Sequence, residues 1–304
     1  MTTEPEPTGL ARRERRGSEK QAIGFENIQR MLPLVIKTMT EGQPSPRDAA
    51  LMSFATDMMP MMMEDAYCDA WGRTDIIDAR MRSLFTVSLM IGVGNIGNEA
   101  ELDHHAPAAL YNGATLAELE AIIVHAAAYV GYPAAGRVLN AIIDALLSHD
   151  LIDEPSPPAD MERRERTGSE KRAQAKDVLS RMKPDSPLLR ADDDHPNDAF
   201  AAELDLMMLE SIYYDLWTRT DVLDLKTRSI VTLGMVMGLG NLDALAEHVH
   251  MAMRNGVTVP ELEELVYHSA AYLGFIAATS LRTTIAAALQ PTRSKPDRAQ
   301  QRVG

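Results

Sequence analysis

Cysteine is almost absent from this sequence of 304 residues, in which Cys68 is the single example. One thiol excludes a disulfide framework within the chain, and no Cys-x-x-Cys pair is present for a redox or zinc site. The N-terminal residues lack the basic segment and apolar core of a secretory signal, and no apolar run is long enough to span a bilayer. We therefore expect a cytoplasmic protein with no membrane segment.

Positive charge is also scarce, with 30 basic residues against 44 acidic ones and a net charge of −14. Because the phosphate backbone of DNA or RNA must be met by a basic surface, this balance argues against a nucleic-acid binder. An acidic cluster at residues 192–195 lacks the glycine-bearing spacing of a calcium loop. We expect neither a metal nor a cofactor.

The sequence does contain one long pattern twice. His105 lies eight residues before Gly113, and His248 lies eight residues before Gly256; an Asn precedes each glycine and Thr-x-x-Glu follows it. Glycine can adopt the left-handed backbone that ends a helix, and Thr-x-x-Glu is a capping box that begins the next one. Each copy therefore predicts a helix, a tight corner and a second helix.

Further motifs repeat in the same order around this pattern. Trp-x-Arg-Thr-Asp begins at Trp71 and again at Trp217, and His-x-x-x-Tyr-x-Gly follows each corner. No stretch shows the period-two alternation of a strand. The sequence predicts an all-α fold of two tandem homologous modules, residues 10–150 and 160–290, joined by a proline-rich linker. Pro133 is expected to bend the last helix of the first module only, because Ile276 stands at the matching position.

This ordered set of motifs resembles the carboxymuconolactone decarboxylase family in both modules. The resemblance implies helical units that assemble as rings, commonly hexamers, so that a homo-trimer of two-module chains would mimic a hexamer. The peroxidase branch of the family, similar to alkylhydroperoxidase, uses a Cys-x-x-Cys pair, which is absent here. The resemblance therefore implies the cofactor-free branch, and an enzyme that is not a thiol peroxidase.

The activity implied is decarboxylation of a small carboxylated lactone or conjugated keto acid. Such a reaction needs a group that moves a proton near neutral pH, which suits histidine. His105 and His248 match the family's characteristic histidine and are the predicted catalytic residues. Glu101, one helical turn before His105, is predicted to orient that ring. Ala244 replaces it in the second module, so we favour the first module as the active one.

A cation is also needed to hold the carboxylate of the substrate. The predicted substrate-binding residues are Arg73, Arg82, Arg219, Arg228 and Tyr111. Interhelical salt bridges are the alternative interpretation of the four arginines. His125 and His268 lie on apolar helices and are predicted to be hydrogen-bonded core histidines.

Two other functions are compatible with the same sequence. One is a biosynthetic cyclase or isomerase acting on a larger apolar intermediate, which would need a pocket much larger than a six-carbon acid. The other is a non-catalytic oligomeric binding protein, in which both motif histidines would be sealed in a packed interface.

Overall fold

The computed structural model describes residues 9–33, 36, 56–94, 99–152, 160–191 and 200–290. Every regular element within these residues is a helix. The predicted all-α fold of two tandem helical modules is confirmed. The acidic cluster at 192–195 and the prolines of the predicted linker lie outside the described residues. The module boundaries at 10–150 and 160–290 stay a prediction.

The first module begins with two helices that precede the repeated motifs, and a π-helical segment, π1, carries the chain to Trp71. The bounds are α1 (Gly9–Arg13), α2 (Gly17–Met31), α3 (Met58–Met61), π1 (Met62–Ala70), α4 (Ala79–Val93), α5 (Glu99–Tyr111), α6 (Leu116–Val130) and α7 (Tyr132–Ser148).

The second module repeats this order, with a π-helical segment, π2, that ends at its own tryptophan. A short 3-10 helix, Pro187–Arg190, stands between the second and third of its helices. The bounds are α8 (Met161–Arg164), α9 (Gly168–Met182), α10 (Glu203–Met208), π2 (Leu209–Trp217), α11 (Leu225–Leu239), α12 (Leu242–Arg254) and α13 (Val259–Ala288).

The predicted corners form in both modules. Gly113 and Gly256 adopt positive φ angles of 96° and 94°, and capping boxes at Thr115 and Thr258 begin the helices that follow. The asparagine before each glycine locks the corner onto the preceding core helix: Asn112 donates to Ser83 Oγ at 2.9 Å, and its counterpart does the same in the second module. The corner motif is thus explained by local hydrogen bonding.

The last helix of each module bends at a glycine. Gly131 separates α6 from α7 with φ 79° and ψ 155°, and Gly274 has φ 81° and ψ 160° within α13. The expectation that only the module with Pro133 would bend is wrong. A glycine with positive φ interrupts the helix whichever residue follows it. The bend therefore does not require Pro133, and Ile276 does not prevent it.

The two modules share one continuous hydrophobic core, centred on the crossing of α4 and α11. Glycines permit the close approach of these helices: a Cβ added to Gly92 would lie 2.2 Å from the carbonyl oxygen of Met235, and one added to Gly238 would lie 2.4 Å from that of Leu89. At this crossing α4 and α11 are in backbone contact. The modules are therefore interlocked, and α6 packs on π2 while α13 packs on π1.

Replacing Gly238 with alanine is expected to destabilise the protein by about 1–3 kcal/mol or more, because the two core helices must separate to admit a methyl group. Gly136→Ala is the matched control, since that glycine is exposed in α7 and nothing lies within 4 Å of its added Cβ. There the same substitution should stabilise by about 0.5–1 kcal/mol. Urea unfolding of both variants checks the opposite signs; equal effects would contradict the close crossing.

Among the described residues, none of the helices combines the length and the apolar character that crossing a membrane requires.

Candidate functional site

Two clusters of aromatic, histidine and arginine side chains lie where the modules meet. Each takes five residues from one module and three from the other. The first cluster comprises Trp71, Arg73, Arg82, Thr86 and His105 with Glu264, His268 and Tyr272. The second cluster comprises Trp217, Arg219, Arg228, Thr232 and His248 with Ala121, His125 and Tyr129.

Helical periodicity aligns the members of each cluster. Arg82 and Thr86 are four residues apart on α4, and His268 and Tyr272 are four residues apart on α13. Side chains at this spacing lie one above the other on the same helical face. Because the modules are interlocked, the His–Tyr face of one module is applied to the Arg–Thr face of the other.

A buried hydrogen-bond network fixes the ring of His268 in one state. Arg82 Nη1 lies 3.3 Å from its Nδ1 and Thr86 Oγ1 lies 2.7 Å from its Nε2. A guanidinium can only donate, so Nδ1 accepts. Thr86 gives its own proton to the carbonyl oxygen of Arg82 at 2.8 Å, so the hydroxyl oxygen accepts from Nε2–H. The ring is therefore neutral, and burial together with Arg82 lowers its pKa well below 6.5.

His125 has the same arrangement in the second cluster. Arg228 Nη1 lies 3.2 Å from its Nδ1, and Thr232 Oγ1 lies 2.8 Å from its Nε2. Burial and the charge of Arg228 lower its pKa well below 6.5. Both rings are fully hydrogen-bonded and orient a guanidinium.

A tyrosine extends each network towards the tryptophan. In the first cluster Trp71 Nε1 donates to Tyr272 Oη at 2.7 Å, and Tyr272 is hydrogen-bonded in turn to Thr86. Tyr129 is bonded to Trp217 and Thr232 in the same way. Burial raises the pKa of both phenols, which keeps them neutral at physiological pH.

The motif histidine of the first cluster is buried and lacks a complete set of partners. His105 is 5% exposed, stacks on Trp71 with ring centroids 6.1 Å apart, and contacts Tyr272 edge-on at 5.4 Å. No described residue hydrogen-bonds its Nδ1. Glu101 Oε2 lies 3.9 Å from its Nε2, but the Glu101 side chain is 55% exposed. Burial, with a smaller effect of His104, lowers the pKa of His105 to about 4.

The motif histidine of the second cluster is only partly buried. His248 contacts Tyr129 with ring centroids 5.6 Å apart. Burial lowers its pKa to about 4, although Glu247 opposes that change. Glu247 is itself bonded to Lys183 at 2.7 Å. These lowered pKa values keep both motif rings neutral at pH 7.

The two predicted arginines of the first module share one carboxylate. Glu264, which is 1% exposed, accepts from Arg73 Nε at 2.9 Å and Nη2 at 2.5 Å, and from Arg82 Nη2 at 3.2 Å. Arg73 also lies over the ring of Tyr267, 4.4 Å from its centroid. Burial lowers the pKa of Arg82 although Glu264 opposes it. This cluster supplies its own counter-ion.

The arginines of the second module have no such partner. Ala121 occupies the position that corresponds to Glu264, four residues before the buried histidine. Arg228 is 2% exposed and bonds to His125 and to the carbonyl oxygen of Arg219, and no ion pair joins Arg219 or Arg228 within the described residues. Burial, and next the charge of Arg219, lower the pKa of Arg228 to about 10.

The structure brings together six of the eight predicted site residues, split between the two clusters. Glu101 lies outside them, 3.9 Å from His105 with a side chain that is 55% exposed. Tyr111 is 48% exposed at the end of α5, and none of the described contacts joins it to either cluster. The roles assigned to these residues stay predictions. Sequence reasoning did not select Glu264 or the tryptophan, threonine and tyrosine of each cluster, although the repeated Trp and His-x-x-x-Tyr positions carried that signal.

A separate groove of about 820 Å³ lies between π1 and α13. Its lining is largely apolar and includes Met62, Tyr267 and Phe275, with Arg73 at one side. Neither motif histidine lines it. The groove therefore lies beside the first cluster and does not contain the predicted catalytic histidines.

Comparison with known proteins agrees with this duplicated site. The sequence profile of the Carboxymuconolactone decarboxylase family matches residues 58–144 and again residues 203–287. Over 66 residues the chain is 38% identical to 4-carboxymuconolactone decarboxylase of Acinetobacter baylyi, covering 22% of this chain and 48% of that protein. Over 68 residues it is 38% identical to nitrosuccinic acid decarboxylase npaB of Metarhizium robertsii, covering 22% of this chain and 47% of that protein.

The chain aligns with about half the length of the curated relatives it matches. The two profile matches, by contrast, fall one in each helical module and together span more than half of the sequence. The chain therefore belongs to the carboxymuconolactone decarboxylase family, as a member that contains the family's helical unit twice.

Proposed function

We propose that this chain is a cofactor-independent carboxy-lyase that removes CO2 from a small carboxylated lactone or conjugated keto acid. The observation that supports this proposal best is the pair of clusters in which a buried guanidinium lies beside neutral imidazole rings at the junction of the modules. Both curated relatives are named as decarboxylases of small acids, which supports the same class of reaction.

In this proposal the chemistry needs no group beyond the chain's own side chains. The C–C bond to the carboxylate breaks, CO2 leaves, and the electron pair is delocalised onto the conjugated carbonyl oxygen as an enolate. A buried arginine holds an anionic group of the substrate, because a guanidinium binds carboxylates in a fixed, charge-assisted geometry. Preorganised N–H donors then stabilise the oxygen on which the charge develops.

The motif histidine is proposed to deliver the proton to carbon. The ring is neutral before substrate binds, because burial holds the pKa of His105 and of His248 near 4. A substrate anion within ~4–6 Å favours the imidazolium and raises that pKa. The ring thus takes up a proton when the anion binds, transfers it to the enolate carbon, and is ready for another turnover.

Variants of the two motif histidines test this role. Release of CO2 from 4-carboxymuconolactone and from nitrosuccinate is measured for wild type, His105→Ala, His248→Ala and the double variant. Loss of the proton donor should lower kcat by about 10²–10⁴-fold. We expect this loss in the single variant of the active cluster and in the double variant.

His104→Ala and His250→Ala are the matched controls, since both histidines are exposed neighbours on α5 and α12 that belong to neither cluster. These controls should retain the wild-type rate. A double variant that is folded and as fast as wild type would refute the proposed role of the histidines.

The proposal includes a homo-oligomer in the cytoplasm, with three two-module chains in place of six one-module subunits. Large apolar side chains stay exposed at matching positions of both modules, directly after the glycine bends: Tyr132 is 79% exposed and Phe275 is 67% exposed. Exposed apolar surface of this kind is typical of protein contacts.

The groove favours a second candidate function, a cyclase or isomerase that acts on a larger apolar intermediate. Pockets of ~300–1,000 Å³ commonly hold drug-sized ligands, and the groove has about 820 Å³ with methionines in its lining. Turnover of an apolar acid too large for the buried clusters, lost when Phe275 is replaced by arginine, would support this candidate over the small-acid decarboxylase.

A further inference from the structure

The two clusters differ in charge although their other groups correspond. Both have two arginines on one module and a histidine and a tyrosine on the other. The first cluster sets the carboxylate of Glu264 against its two guanidinium groups, whereas the second has the methyl group of Ala121 at that position. The second cluster therefore contains a buried positive charge that no carboxylate contacts among the described residues.

Burying an unpaired charge is costly, and proteins normally place an opposite charge beside it. Arg228 is 2% exposed, and its Nε, like that of Arg82, has no hydrogen-bond partner among the described residues. Arg228 differs from Arg82 because no carboxylate accepts from its other nitrogens. The lowered pKa of Arg228, about 10, reflects the same cost. The exposed Arg219 adds a like charge, and the exposed Asp221 acts on Arg228 as an opposite charge without an ion-pair contact.

The second cluster is also less enclosed than the first. Glu264 is 1% exposed, whereas Ala121 is only partly buried. Tyr267 covers Arg73 in the first cluster, and the smaller Val124 stands at the corresponding position in the second. His248 is likewise more accessible than His105. Greater exposure of Ala121 and His248 to solvent thus accompanies the missing carboxylate.

We propose that the second cluster is the site that binds a substrate carboxylate, with Arg228 and Arg219 as its receptors in the place that Glu264 fills in the first cluster. In the first cluster Glu264 already pairs with both guanidinium groups, and that cluster acts as structural support. This inference rests on the proposed function. It assigns the reaction to the cluster of His248, whereas the sequence alone favoured the module of His105.

The chain's two tryptophans allow a direct test, because each cluster contains one of them. The full chain is labelled with 5-fluorotryptophan, and the variants Trp71→Phe and Trp217→Phe assign the two ¹⁹F resonances. Succinate is then titrated at constant ionic strength, with sodium chloride as the control. The Trp217 resonance should shift saturably with succinate, and the Trp71 resonance should not move.

A substitution at one position separates charge from space. Ala121→Glu places in the second cluster the carboxylate that the first one has, and should abolish the succinate response of Trp217. Ala121→Gln fills the same volume without charge and should retain the response. An unchanged Trp71 resonance shows that each variant is folded.

A response of Trp71 alone, or an undiminished response in Ala121→Glu, would overturn the inference. Loss of the response in Ala121→Gln as well would show that side-chain volume, and not charge, blocks succinate, which would contradict the electrostatic basis of the inference. Succinate binding at Trp217 without any decarboxylation would refute only the proposed function, and decarboxylation with a silent Trp217 would refute only this inference.

Discussion

Glu264→Ala is expected to lower the free energy of unfolding by about 3–5 kcal/mol, the usual effect of removing one partner from a buried ion pair. The carboxylate is 1% exposed and lies within 3.2 Å of both Arg73 and Arg82. Its loss leaves Arg82, also 1% exposed, as an uncompensated charge in the core. Urea unfolding at neutral pH measures the change.

Glu263→Ala is the matched control, because that neighbour is an exposed residue on the same helix, where surface substitutions usually stay within about 0.5 kcal/mol. The double variant Arg82→Met with Glu264→Ala should lose less than the sum of its single variants, since it also removes the stranded charge. Strict additivity, or equal stability of the Glu263 and Glu264 variants, would show that the ion pair is not what stabilises this interface.

The helices and their ends could be predicted because their signals are local. A capping box, a glycine and an asparagine define each corner within a few residues, and Asp78 and Asp224 cap the core helices by accepting from backbone N–H groups at 2.7 Å. Duplication strengthened these signals, since each motif appears twice in the same order.

The bend of α13 was missed because proline was taken as its cause. Pro133 follows the bend in the first module, but Gly131 and Gly274 have the same backbone angles, and Ile276 follows the second of them without straightening the chain. The physical cause is the positive φ of the glycine, which both copies share. The repeat of glycine was the stronger signal.

The composition of the site could be predicted only in part, since its residues come from both modules. The sequence indicated the motif histidines and the arginines, but Glu264 is nearly two hundred positions from Arg73 along the chain. Helical spacing cannot show which faces of two interlocked modules meet. For the same reason, the sequence drew attention to Ala244 in place of Glu101, which is mostly exposed, and not to the contrast of the buried Glu264 with Ala121.

Mild acid is expected to unfold the protein, because the cluster histidines are held neutral. Burial lowers the pKa of His105 and of His248 to about 4, and that of His125 and of His268 further below 6.5. In the unfolded chain these rings titrate near their ordinary pKa of about 6.5. The unfolded state therefore binds more protons below that pH, so stability is complete above pH 6.5 and falls as the pH approaches 4.

A ring with a pKa near 4 in the fold contributes a loss of about 2 kcal/mol between pH 7 and pH 5. The two motif rings together, with the partly exposed His248 discounted, amount to roughly 2–4 kcal/mol, a large part of the stability of a typical domain. His125 and His268 act in the same direction. Most unfolded carboxylates stay ionised down to pH 5, so this window isolates the histidines. Unfolding free energies from urea titrations at pH 7, 6 and 5 should fall steeply, and His105→Asn should reduce the slope by up to about 1.4 kcal/mol per pH unit. A free energy of unfolding that stays constant from pH 7 to pH 5 would mean that the rings can be protonated in the fold, and that the clusters are open to water before any substrate binds.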